Sequence, residues 1–320
     1  MTAYSVLVPF LPRRPEQILP LAAMVKWTHA ERLWQGQALL MEPHQGFVSA
    51  AASGFRVPVG LGVTLMPLRH PYEAALQARS VAMTTGHSVV AGFGPGSRAF
   101  QAGLLGTPYA SPLTAAREYL AAVRGLLDGE VVQNEGRYFN ISAQLPPAAA
   151  PRVDVGLGVL RPGMAGVAGE FADVAITWLT PPDYLRDILV PAIRKGAEEA
   201  GRPCPRITAM VPVALERAQV SAPELALASN AGHIQAPHYI DMLRQAGVQV
   251  SGEDPGDTAC ALVEANAFVS GAPEQVAALL DQYRQAGVDE IVLNTTGVRK
   301  RCGEQEAVND LKTILAAVAP

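Results

Sequence analysis

Three predicted strands of this chain run directly into a Gly-x-Gly turn: Gly60-Leu61-Gly62, Gly92-Phe93-Gly94 and Gly156-Leu157-Gly158. Each follows a short apolar or β-branched run (Val57-Pro58-Val59, Val89-Val90-Ala91, Val153-Asp154-Val155), and each precedes a helical pattern. Glycine lets backbone approach a ligand closely and adopts positive φ at little cost. One such turn would suit a dinucleotide fold. Three on one chain predict several βα loops converging on one large flat ligand, the geometry of a barrel mouth.

The rest of the chain repeats the alternation. Strands are predicted at 4–9, 31–34, 57–64, 87–93, 153–157, 173–178, 206–213 and 288–294. Helical patterns follow at 15–28, 46–53, 71–85, 111–127, 163–171, 182–200, 273–286 and 304–318. Successive parallel strands need helical crossovers, so eight alternations predict a (β/α)8 TIM barrel as a single domain over 1–320. Two stretches fall outside the repeat. Residues 215–264, rich in Ala and Leu, read as a helical, lid-like insertion between strand seven and its helix. Residues 137–151 read as an irregular loop.

Composition narrows the class. With 49% hydrophobic and 17% charged residues and a net charge of −4, the chain can bury a large core and has no basic footprint for nucleic acid. Cys204, Cys260 and Cys302 lie far apart with no CxxC pair, so neither a zinc site nor a disulfide framework is expected, and no metal is assigned. A reducing, cytoplasmic compartment follows as the expectation. The apolar run at 18–25 is too short to span a bilayer and is bracketed by Arg13, Arg14, Glu16 and Lys26.

Several segments carry a resemblance. The run Gly62-Val63-Thr64-Leu65-Met66-Pro67-Leu68-Arg69-His70-Pro71 resembles the third-strand signature of the bacterial luciferase-like flavin and deazaflavin oxidoreductases. Ala91-Gly92-Phe93-Gly94-Pro95-Gly96, Arg117-Glu118-Tyr119-Leu120, Ala168-Gly169-Glu170-Phe171-Ala172-Asp173 and Trp178-Leu179-Thr180-Pro181 are similar in the same order. So are Val269-Ser270-Gly271-Ala272-Pro273-Glu274 and Ala286-Gly287-Val288-Asp289-Glu290. Within that superfamily, Trp34-Gln35-Gly36-Gln37 and Gly94-Pro95-Gly96-Ser97-Arg98 look most like the branch that uses coenzyme F420, a deazaflavin; FMN is the alternative. The resemblance implies a luciferase-like barrel with a non-proline cis peptide at Gly62-Val63 bracing one face of the ring.

Cofactor contacts are therefore expected from Gln37, Gly62, Val63, Thr64, Gly94, Pro95, Gly96, Ser97 and Trp178. The turn Gly158 to Met164, with Arg161, Pro162 and Gly163 opening a helix, suits a phosphate because helix N-terminal N–H groups point outward there. Gln37, His70 and Tyr109 are the catalytic candidates, with Glu42 and His44 as further mouth-loop groups. His70, before Pro71, equally suits a helix cap. Arg299-Lys300-Arg301 is either a solvated charge run or a grip for an anionic tail. Alanine at position 38 stands where alcohol-oxidising members of the superfamily place a proton-accepting histidine. Reduction of an activated C=C or C=N bond is then favoured over alcohol oxidation.

The expected activity is thus an F420-dependent oxidoreductase acting on a small-molecule or modified-peptide substrate of secondary metabolism. An FMN-dependent monooxygenase and a cofactor-free scaffold barrel are the alternatives. A homodimer is expected, with neither nucleic-acid nor membrane partners.

Overall fold

Among the described residues there are eleven strands: β1 (Ala3–Leu7), β2 (Leu33–Gln35), β3 (Val59–Leu65), β4 (Val89–Gly94), β5 (Val132–Glu135), β6 (Asn140–Ala143), β7 (Val153–Gly158), β8 (Val174–Trp178), β9 (Arg206–Leu215), β10 (Val269–Gly271) and β11 (Glu290–Asn294). The structure, a computed structural model, describes residues 2–37 and 39–319. Eight strands close a parallel barrel in the order β1-β2-β3-β4-β7-β8-β9-β11, with β11 returning to β1. This is a (β/α)8 barrel, with the helices packed outside. Because every barrel strand is parallel, all eight C-terminal ends open on one face.

A barrel of this size is filled by side chains rather than left as a pore. Leu7, Trp34, Val90, Val174, Ile176, Met210 and Val292 fill it here, with Val63 and Trp178 at the upper edge. The glycines serve this interior. A Cβ on Gly60 would overlap the Trp34 indole, one on Gly62 would overlap Met210, and one on Gly92 would overlap the Leu61 carbonyl. The Gly-x-Gly strand ends thus make room first for Trp34, Met210 and Ile176, whereas the sequence alone suggests a ligand.

Below Trp34, Glu290 is 4% exposed and accepts hydrogen bonds from the Trp34 indole (2.7 Å), Ser5 Oγ (2.6 Å) and Arg32 Nε (3.1 Å). The buried carboxylate is acceptable because it is paired and hydrogen-bonded. This plug sits at the N-terminal end of the barrel, away from the mouth.

Three segments differ from expectation. Part of the predicted loop 137–151 is the strand β6, which pairs antiparallel with β5. Glu118 on the helix Pro112–Leu127 accepts from the backbone N–H groups of Arg137, Tyr138 and Phe139, fixing the turn from a distance in sequence. The helical run 182–200 contains a π-turn at Leu185–Leu189, just before Pro191, which has no N–H to donate to the preceding turn. The insertion holds helices Ala222–Asn230, Pro237–Gln245 and Pro255–Glu264, and returns through β10, a ninth strand of the sheet paired with the end of β9. Helices Arg98–Leu105 and Thr296–Cys302 add to the predicted set. No helix among the described residues is long and apolar enough to cross a membrane.

Candidate active site

The mouth is floored by the end of β3. The Gly62–Val63 peptide bond is cis, where the β3–β4 register shifts between Leu61 and Thr64. Both residues are half-buried, whereas Val59 to Leu61 below them are buried. Thr64 Oγ1 donates to the Gly92 carbonyl at 3.1 Å, and Gln37 N–H donates to the Val63 carbonyl at 3.1 Å. A Cβ on Gly94 would stand 2.9 Å from one Val63 γ-methyl, and one on Gly158 would stand 3.3 Å from the other. Val63 therefore lies between two glycines, and three of the expected cofactor contacts form one cradle.

Around this floor, Gly94-Pro95-Gly96-Ser97 leads into the helix Arg98–Leu105. Ser97 caps it by accepting from Phe100 N–H at 3.2 Å, and the Gln101 amide binds the Pro95 and Gly96 carbonyls at 3.0 and 2.9 Å. The loop is held rigid from within. Arg98 is exposed and makes no ion pair among the described residues.

On the neighbouring rim, Arg161 occupies the N-cap of the helix Pro162–Phe171 without a side-chain cap bond. Its guanidinium instead pairs with Asp241 of the insertion at 2.9 Å. Gly163 is exposed and Met164 half-buried at the opening of that helix.

Gln37 belongs to a polar cluster that the sequence only partly assembles. Its amide nitrogen donates to Glu42 at 3.2 Å, and Arg69 reaches the Gln37 carbonyl oxygen at 3.4 Å and Glu42 at 2.8 Å. Arg69 is 8% exposed, and in the sequence it stands out only as part of the third-strand motif. His44 stands 3.6 Å from Glu42, and burial together with the Arg69 charge lowers its pKa to about 4. A histidine so placed is neutral at pH 7 and is a poor acid there. Position 38 lies outside the described residues.

The two other proton-transfer candidates have structural contacts. His70 caps the helix Pro71–Thr85, accepting from Tyr72 N–H at 3.2 Å, while its other ring nitrogen lies 3.3 Å from the Asn140 carbonyl. Tyr109 is 5% exposed and packs edge-on against Tyr138 at 5.1 Å. Burial pushes its hydroxyl up to about 12. The basic run is also engaged: Arg299 lies 4.6 Å over the Phe10 ring, Lys300 donates to the Ala228 carbonyl at 2.9 Å, and Arg301 reaches Glu224 at 3.3 Å.

Sequence reasoning misses the aromatic wall over β8. Trp178 ends that strand, and His233, from the insertion, packs on its ring at 5.1 Å with an interplanar angle of 31°. Tyr239 meets His233 edge-on at 5.1 Å. The Trp178 Nε1–H is buried and finds no acceptor among the described residues. His233 lies 55 residues beyond Trp178 in a stretch without a recognisable motif, so nothing local could have joined them.

These features define a class: a parallel (β/α)8 barrel whose site opens at the C-terminal ends of its strands, over a cis peptide set between glycines. A profile of the luciferase-like monooxygenase family matches residues 12–290, and the chain belongs to that family. It is 33% identical over 148 residues to a 5,10-methylenetetrahydromethanopterin reductase of Methanolobus tindarius, covering 46% of this chain and 44% of that protein. It is 26% identical over 278 residues to the reductase of that name from Methanopyrus kandleri, covering 77% of this chain and 79% of the relative. The chain thus spans less than half of the first relative and about four-fifths of the second. The structure of the coenzyme F420-dependent tetrahydromethanopterin reductase from Methanopyrus kandleri superposes with a TM-score of 0.75 at 20% identity, covering 99% of this chain and 97% of that one. That superposition shows the shared fold.

Proposed function

We propose that this protein is an F420-dependent oxidoreductase that reduces an activated C=C or C=N bond of a small-molecule or modified-peptide substrate. The observation carrying this reading is the similarity to two methylenetetrahydromethanopterin reductases, joined to the Val63 cradle between Gly94 and Gly158. When bound, the deazaflavin supplies the hydride, and the protein supplies position and surroundings.

The residues present fit such a group. Gly62, Val63 and Thr64 would support the ring, because Cβ-bearing residues at 94 and 158 would crowd Val63. Gly94, Pro95, Gly96 and Ser97 would line one side, and Gln37, oriented by Glu42 and Arg69, would meet the polar edge. Gly158, Pro162, Gly163 and Met164 would receive the phosphate at the helix opening, with Trp178 closing the far side. Arg161 would join them by exchanging Asp241 for the phosphate. On the β4 side, Arg98 offers a cation with no ion pair among the described residues. With His70 used as a cap and Tyr109 buried against Tyr138, water is the better-placed proton source, which suits an acceptor already activated by conjugation.

The helices of the insertion act as a lid-like wall in this reading. A homodimer would cover the exposed Val48, Leu76 and Met83 on two neighbouring helices. Free Cys204, Cys260 and Cys302 are consistent with a cytoplasmic setting.

An FMN-dependent monooxygenase is the second reading, favoured by the description of the family profile itself. Titration of the purified protein with each cofactor decides. F420 should quench fluorescence with a micromolar dissociation constant and FMN should bind far more weakly; equal or tighter FMN binding transfers the assignment to the second reading.

A further inference from the structure

The wall over β8 carries an inference about the substrate, and it rests on the reductase reading above. Three observations converge there. The Trp178 N–H is buried without a partner, in a ring that forms part of the upper edge of the barrel interior beside Val63. His233, half-buried, stacks on that ring and makes no side-chain hydrogen bond among the described residues. Two strands further round, at the end of β11, Asn294 Nδ2 and Thr295 Oγ1 are also buried and unpartnered. Buried polar groups left unpaired cost free energy, and such groups at the strand ends of a mouth point to a ligand or ordered water that completes them.

The charges of this wall say which ligand. Arg161 is tied to Asp241, Lys300 to the Ala228 carbonyl, Arg301 to Glu224, and Arg299 lies over Phe10. In the reductase reading Arg161 passes from Asp241 to the cofactor phosphate, and Lys300, Arg301 and Arg299 keep their contacts, so no cation of the wall is left for a charged substrate group. What remains is aromatic surface and neutral polar groups, the N–H donors of Trp178 and Asn294 among them. Burial, with help from His238 and Lys300, lowers the His233 pKa to about 4, so its imidazole is neutral at pH 7.

We propose that His233 and Trp178 form the substrate-binding pair of this enzyme, and that they select an uncharged, planar, conjugated carbonyl compound whose oxygen accepts their free N–H groups. Planarity suits the aromatic wall, and an acceptor oxygen suits donors that have no other partner. The alternative is a purely structural stack, in which His233 only fastens the insertion to β8.

The test uses the full-length protein with reduced F420 and two probes, benzylideneacetone and its para-carboxylate. His233→Phe keeps an aromatic ring and removes the N–H; His233→Gln keeps a donor; Trp178→Phe removes the other donor. F420 dissociation constants and melting temperatures are measured for each variant. Benzylideneacetone should be reduced with a kcat/KM at least about tenfold above its carboxylate, by the loss expected when a charge is left unpaired. His233→Phe should lower kcat/KM by about 10- to 100-fold, as for a lost hydrogen bond in a dry site, while His233→Gln stays within about fivefold of wild type. F420 affinity should be unchanged in both His233 variants.

Wild-type kinetics in His233→Phe, a preference for the carboxylate, or tight F420 binding with neither enone reduced would each overturn the proposal. Failure of wild-type protein to bind F420 overturns the reductase reading and this proposal with it.

Discussion

The indole of Trp34 fills the space that a Cβ on Gly60 would occupy, one strand away in direct register. The largest side chain of the barrel interior is accommodated only because its neighbour has none. Gly60→Ala should therefore destabilise the protein by ~1–3 kcal/mol, the usual cost of overpacking a filled core. Gly103, in the helix Arg98–Leu105, has open space where its Cβ would stand. Gly103→Ala should stabilise by ~0.5–1 kcal/mol through helix propensity alone. Urea unfolding of both variants measures the contrast, and equal effects at the two sites would contradict the packing account.

The Arg161–Asp241 pair yields two effects of opposite sign. Both side chains are about half exposed, so the pair itself adds little stability. If Arg161 turns to the cofactor phosphate, Arg161→Ala should weaken F420 binding by about tenfold. Asp241→Asn should strengthen it by releasing the guanidinium. Both dissociation constants come from fluorescence titration at low and moderate salt. No change in either variant would leave Arg161 as a strap between the insertion and the rim.

His44 and His233 give a pH signature. Both are held near a pKa of about 4, below the ordinary value of 6.5, chiefly by burial. Between those values the unfolded chain binds protons that the folded chain resists, so stability falls as pH drops from about 6.5 towards about 4 and the penalty levels off below. Each histidine can contribute up to a few kcal/mol, because a tenfold weaker hold on the proton is worth about 1.4 kcal/mol. Urea midpoints at pH 7.5, 6 and 4.5 should fall progressively in wild type. They should fall less in His44→Gln, which has no imidazole to titrate.

Position 38 bears on the direction of the chemistry. Alanine there offers no proton acceptor, so an alcohol panel with oxidised F420 should give negligible turnover while conjugated enones are reduced. General acid–base groups contribute ~10²–10⁴-fold, a loss tolerable only where the acceptor is already activated. Robust alcohol oxidation with inert enones would point to a base from another loop, and Glu42, beside Gln37 and Arg69, is the first to mutate.

Much of the architecture was legible because it is local. Alternation of apolar runs with helical patterns, Pro at helix starts and Gly after their ends mark the eight βα units wherever the chain repeats. The cis position was legible too, through the resemblance at Gly62-Val63. The β5–β6 ribbon was not, because the group that pins its turn, Glu118, sits on an earlier helix. Nor was the meaning of the glycines: their spacing marked strand ends correctly, but only the closed barrel shows Trp34 and Met210 pressing on them.

The site divides along the same line. The sequence by itself determined the barrel, the polarity of its mouth and the segments that rim it, because strand direction and hydrophobic period are properties of short stretches. The tertiary structure alone decided which side chains meet there: Arg69 with Gln37 and Glu42, Arg161 with Asp241, and His233 on Trp178. Those pairings join residues 27 to 80 positions apart, and a contact across such a separation exists only once the chain has closed on itself.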